Sequence, residues 1–162
     1  MLTISKTSHL HHELIVQHID ALVPLADAIA TEPTAAIRPR LEETHSFLVD
    51  RLTPHMAAAE TALYPALETL LSDPMAMEPM RREHATVRRL IAEFGRTIEH
   101  LHDPITVGQR VTLRRTLIRL FAIVRVHLGE EELYLPALEH SISPEAAATI
   151  AQAMEHATVN PL

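Results

Sequence analysis

Apolar residues recur along this chain at steps of three and four, the period of an amphipathic helix, and no run of alternating β-branched residues suggests a strand. Four stripes can be traced. The first is His11, Leu14, His18, Leu22, Leu25 and Ile29, and the second is Leu48, Leu52, His55, Ala59, Leu63, Ala66 and Leu70. The third runs Met77, Met80, His84, Val87, Ile91, Phe94, Ile98 and Leu101. The fourth runs Leu113, Leu117, Leu120, Val124, His127, Glu131, Leu135 and Leu138. Between the stripes lie "ATEPT", "LSDPMAMEP", "LHDPITVG" and "HSISPE", where proline stands with Asp, Ser or Thr, residues that end one helix and cap the next. The pattern predicts helices over about 8–30, 35–71, 76–102 and 106–139, then a short fifth capped by Ser143 with Pro144 in its first turn. Pro24, Pro54 and Pro65 fall inside these helices and should distort them. Short links between long helices favour antiparallel neighbours. The expected fold is therefore all-α: one domain over 1–162, an up-down-up-down four-helix bundle with its core at about 8–140.

All four stripes carry histidine, and the fourth adds a carboxylate. A charged Glu is almost never buried without a partner. His18 and His84 lie early in their helices, His55 and His127 late in theirs, so an antiparallel bundle brings the four to one end. Unpaired, such a layer would cost several kcal/mol, on the order of 1–3 kcal/mol per group. A cation removes that cost, and imidazole with carboxylate suits iron, manganese or zinc. His11, two turns below His18, is a spare candidate ligand. His45, ten residues before His55, lies about 15 Å along the helix and reads as structural. His9, His12, His100, His102, His140 and His156 fall near helix ends or off the stripes and are expected in solvent.

Composition narrows the chemistry. The formal net charge of −7 disfavours nucleic acid or an anionic membrane as partner. Cysteine is absent, which excludes thiolate ligands and disulfides and fits a cytoplasmic setting. The first residues lack a signal-peptide pattern, and the apolar run "LIRLFAIVRVHL" is interrupted by Arg119 and Arg125. No nucleophile elbow, P-loop or zincin helix is present, so any catalysis would belong to a metal.

"QHIDALVPL", "PHMAAAETALYPALE", "MRREHATVRRL" and "VHLGEEELYLPALE" together resemble the hemerythrin-like family of HHE cation-binding proteins over about 10–140. The resemblance implies a non-haem centre of two irons bridged by carboxylates and an oxygen atom. Carried over by position, it implies His18, His55, His84, His127 and Glu131 as ligands. Ala59 departs from the family pattern, which has Glu four residues after the histidine of the second helix. Two repairs are open: Glu60 could reach back from one helical step away, or a π-bulge between His55 and Glu60 could bring i+5 over i. Counted back from the shared Pro-Ala-Leu-Glu, Glu60 and Glu131 are equally placed, five before Pro65 and Pro136, which favours Glu60 as a bridging carboxylate. Without either repair the site would hold one metal, or two with an open position.

The resemblance leads to a protein that binds or senses oxygen or a related small redox ligand. An enzyme acting on peroxide, nitric oxide or oxygen, and a metal-free helical interaction module, are the alternatives. Tyr64 and Tyr134, beside the two motifs, are candidate donors near the metal or simple packing residues. A ferritin-like di-iron site fits less well, because it expects Glu-x-x-His on inner helices.

Overall fold

In a computed structural model the described residues, 4–159, are helical almost throughout, with no strand among them. The first rod consists of α1 (Ile4–Asp20) and α2 (Leu22–Thr31). Pro24 cannot donate to the carbonyl of Asp20, so the ladder breaks at Ala21 and its flanking bonds are long, 3.3 Å from Ala21 N to Gln17 O and 3.2 Å from Leu25 N to Ala21 O. The second rod is α3 (Thr34–Phe47), α4 (Thr53–Ala58) and α5 (Tyr64–Leu71), joined by π-helical turns at Leu48–Leu52 and Ala59–Leu63. Each turn closes on the residue before a proline. Thr53 N donates to Leu48 O and Tyr64 N to Ala59 O, both five residues back. A proline ring crowds the carbonyl four residues behind it and offers no N–H, and widening the preceding turn relieves both problems.

α6 (Glu78–Glu99) and α7 (Val107–Ser141) complete the long rods. Thr106 and Gln109 form a reciprocal capping box at the start of α7. α8 (Pro144–Val159) is longer than the pattern suggested, with Ser143 Oγ accepting from Ala146 N at 3.2 Å, and it packs on α1 and α4.

Cross-links fix the direction of neighbouring rods. Ser5–Glu139, His12–Glu132, Asp20–Arg125 and Ala26–Arg114 run α1 and α2 antiparallel to α7. Glu83–His127 and Glu93–Arg115 do the same for α6 and α7, as do Arg38–Leu101, Glu60–Arg88 and Glu68–Arg81 for the second rod and α6. Ser8–Thr31 is long and apolar enough to cross a membrane, but Ile15, Ile19, Leu22, Leu25 and Ile29 on it are buried in the core.

The third and fourth stripes are buried as expected, whereas the first two are corrected. In α1 the inward face is Ser8, His12, Ile15 and Ile19, while Leu14 is 60% exposed. Both candidate stripes meet at Leu22, so the pattern alone could follow either; two isoleucines, against a leucine and a histidine, decide the face. In the second rod the turn at Ala59–Leu63 advances the stripe by one residue. Tyr64 and Leu67 are buried where Ala66 and Leu70 were expected.

The apolar core falls into two clusters. One holds residues such as Ile15, Leu52, Val87, Val124 and Leu128, and the other holds Ala59, Tyr64, Met80, Leu135 and Ile150. His12, His55, His84, His127 and Glu131 are buried in the layer between them.

Candidate metal centre

Glu131, reached after one turn of α7 from His127, has no exposure and stands at the middle of this layer. Its Oε2 faces His12 Nε2 at 3.3 Å and His55 Nε2 at 3.5 Å. Its Oε1 accepts from the Tyr64 hydroxyl at 2.7 Å and lies 3.4 Å from His127 Nε2. Across this second half, His84 Nε2 and His127 Nε2 are 2.8 Å apart, and the Tyr64 oxygen is 3.2 Å from one and 3.3 Å from the other. Two groups thus share one carboxylate: His12, His55 and Glu131, and His84, His127 and Glu131, the donor atoms of each within 4.8 Å of one another.

Three of the histidines are held from behind by acids. His12 Nδ1 donates to Glu132 Oε1 at 3.2 Å, His84 Nδ1 to Glu60 Oε1 at 2.8 Å, and His127 Nδ1 to Glu83 Oε2 at 2.7 Å. A ring that donates through Nδ1 to a carboxylate turns its Nε2 lone pair the other way, the tautomer a metal ligand needs. Here the free nitrogens point at one another around Glu131.

The electrostatics register the crowding. Burial, reinforced by His127, pushes His84 down to about 3. Burial also lowers His55. Burial disfavours charge on His127 as well, but Glu131 and Glu83 more than offset it and raise its pKa. Glu131 is held well below its ordinary range: burial opposes ionisation, while the facing imidazoles of His12, His127 and His55 overcome it. Burial, with the negative Glu131 beside it, raises Tyr64.

A fit to a cation follows from what is left over. His55 Nδ1, His55 Nε2 and Glu131 Oε2 are buried without a hydrogen-bond partner. The facing Nε2 atoms of His84 and His127 need either one proton between them or a shared cation. His84 Nε2, His127 Nε2, Glu131 Oε1 and the Tyr64 oxygen lie close together, with five of the separations among them running from 2.7 to 3.4 Å, and this set of nitrogen and oxygen donors suits a cation.

The family model of the hemerythrin HHE cation-binding domain matches residues 3–138. The chain belongs to that family. No curated protein and no solved structure matches it.

Against the hemerythrin-family expectation, His55, His84, His127 and Glu131 come together, and two members of the set move. His18 is exposed; its Nδ1 donates to Leu14 O at 3.0 Å and its ring stacks on Phe47 with centroids 4.2 Å apart. His12, expected in solvent, is 2% exposed and takes the inward place. Six residues apart on a helix, about 120° in projection, the two cannot both face the core. Glu60 lies elsewhere than over His55: its Oε1 accepts from His84 Nδ1 and from Arg88 Nη2 at 2.5 Å, so it stands behind His84, while Glu131 faces both halves. His11 is half-buried and electrostatically close to His55 and Glu155, outside both donor groups. His45 packs against Phe94 and Gly95 at a distance from the layer. His9, His100, His102, His140 and His156 are exposed.

Sequence reasoning placed His12 in solvent and left Tyr64 open between a donor near the metal and a packing residue. Tyr64 is turned inward by the π turn, and the signal was available: His55 to Pro65 is one residue longer than His127 to Pro136. His12 has a fainter signal in the Ser8, His12, Ile15, Ile19 spacing.

Proposed function

We propose that this chain is a non-haem di-iron protein of up-down-up-down four-helix-bundle form that binds or senses oxygen or a related small redox ligand, such as peroxide or nitric oxide. The observation that carries the reading is the Glu131 carboxylate with a separate group of histidine nitrogens at each oxygen. Iron bound there would supply electrons and open coordination positions for such a ligand.

In this reading His12, His55 and Glu131 would hold one ion, and His84, His127, Glu131 and Tyr64 would hold the other. Tyr64 stands in for the carboxylate that Ala59 cannot provide; Ala59 is fully buried in the same apolar cluster as Tyr64. Glu132, Glu60 and Glu83 fix the rings of His12, His84 and His127 and raise their basicity. The apolar clusters on either side keep bulk water from the layer, which strengthens each of these contacts.

The test is to purify the protein from iron-supplemented cells, measure iron per chain, and record absorption before and after oxygen reaches the reduced protein. About two irons per chain and an optical change that reverses when oxygen is removed are expected. Sustained consumption of peroxide or nitric oxide would make the centre an enzyme instead. A protein that takes up no iron would overturn the reading.

A further inference from the structure

α7 is apolar on two opposite faces. Leu113, Leu117, Leu120, Val124, Leu135 and Leu138 are buried, yet Val107 and Leu133 on the other side are 79% and 78% exposed. Val111, Ile118 and Val126 are exposed on that side too, with Ala122 and Gly129 between them. At 100° per residue these seven positions lie within an arc of about 100°, running some 40 Å along the helix. A helix that is hydrophobic all round is ordinarily buried all round. Arg115, paired with Glu93, and Arg125, paired with Asp20, enter the same arc, and the apolar residues around them form a strip of the kind that marks a contact surface.

Charge along the same helix says what fits there. Residues 107–126 contain five arginines, Arg110, Arg114, Arg115, Arg119 and Arg125, and no acid. Residues 127–141 contain Glu130, Glu131, Glu132 and Glu139 and no lysine or arginine. A helix that is basic in one half and acidic in the other complements a second copy of itself laid antiparallel. Most of these charges have partners inside the chain: Arg110 donates to Ile29 O, and Arg114, Arg115 and Arg125 pair with Asp27, Glu93 and Asp20. Glu131, Glu132 and Glu139 are likewise engaged. Arg119 and Glu130 have no ion-pair partner among the described residues, and both flank the apolar strip on the side toward α6.

We propose that the outer face of α7 is a self-association surface, on which a second copy docks its own α7 antiparallel about a two-fold axis near residue 124. In that register Arg119 of each copy faces Glu130 of the other, because flanking residues on the same side meet across an antiparallel helix pair. Val126 of each copy meets Ala122 and Ile123 of the other, where a groove of about 400 Å³ between α6 and α7 is lined by Arg82, Glu83, Thr86, Ala122, Ile123 and Val126. Ala122 keeps the axes close at the crossing. Docking there also covers Glu83, the partly exposed partner of His127, and so seals one edge of the histidine layer.

Sedimentation equilibrium of the full chain tests this, with far-ultraviolet circular dichroism to confirm that each variant remains helical. Wild type should show about twice the 18.1 kDa chain mass across the micromolar range. Ala122→Glu, an exposed position whose substitution leaves the core intact, should be monomeric. Arg119→Glu alone and Glu130→Arg alone should each weaken the dimer at least tenfold, and the doubly swapped variant should restore it. Wild-type protein that is monomeric up to millimolar concentration, or a dimer indifferent to Ala122→Glu, overturns the surface. A double swap that stays as weak as the single variants overturns the antiparallel register.

Discussion

The two motifs that begin with His55 and His127 are nearly the same phrase folded in two ways. "HLGEEELYLP" continues as a plain α-helix, so Glu131, four residues after His127, stays on the inward face. "HMAAAETALYP" carries one more residue before its proline and takes a π turn at Ala59–Leu63. The additional residue does not bring Glu60 over His55. It leaves Glu60 at the edge, behind His84, and swings Tyr64 inward until its hydroxyl meets Glu131. The longer motif thus brings a phenol oxygen to the layer where the shorter one brings a carboxylate. Motif spacing read as an α-helix cannot show this, because the helix changes its period within the motif.

The largest effect that follows is that of Glu131→Ala. It removes the only carboxylate among the described residues that faces both halves, so iron should fall from about two per chain to near zero, measured by elemental analysis. His12→Ala should empty one half and His18→Ala neither, a contrast that separates the observed face of α1 from the one its leucines suggested.

Deleting Ala59 sharpens the comparison by making the first motif as short as the second. The π turn should vanish, and Glu60, now four residues after His55, should turn toward the layer. In the intact chain Glu60→Ala is expected to weaken iron binding about 10–100-fold without changing stoichiometry. In the deletion background the same substitution should cost about one iron per chain. Equal stoichiometry in both backgrounds would break the comparison.

Tyr64→Phe is smaller. It should weaken the second iron site selectively in a chelator competition. In the metal-free protein it should cost about 1–3 kcal/mol in urea unfolding, because Glu131 Oε1 loses a buried donor.

The fold was legible where the period held. α6 and α7 show their buried faces residue by residue, as do Ser143 at the start of α8 and the helix boundaries near Pro33 and Pro144. The site was legible to the same extent: His84, His127 and Glu131 sit on those two helices, and His55 precedes the π turn that matters. His12 was not, and Tyr64 was legible as a candidate donor but not as a residue of the inward face. One lies where two stripes share Leu22, and the other lies beyond a change of helical period that only a count to the next proline reveals.

Acid should disturb the layer progressively. His84 is pushed down to about 3, so between there and its ordinary 6.5 the unfolded chain takes up a proton that the folded chain refuses. Stability therefore falls as pH drops through that window. His55 and Glu131, both lowered, act in the same direction, Glu131 below 4.5. His127, raised, acts oppositely: its contribution is full below 6.5 and is lost as pH rises through its folded value. The metal-free protein should consequently unfold at lower urea near pH 5 than near pH 7. His84→Gln should flatten that dependence.

The central claim is that Glu131 stands between two metal ions, one held with His12 and His55 and the other with His84, His127 and Tyr64. Anomalous diffraction at the iron edge from crystals of the iron-loaded protein tests it directly. Two peaks are expected, one on each side of the Glu131 carboxylate, the second within bonding distance of the Tyr64 oxygen. A single peak, or a peak bonded to His18 or Glu60, would contradict it.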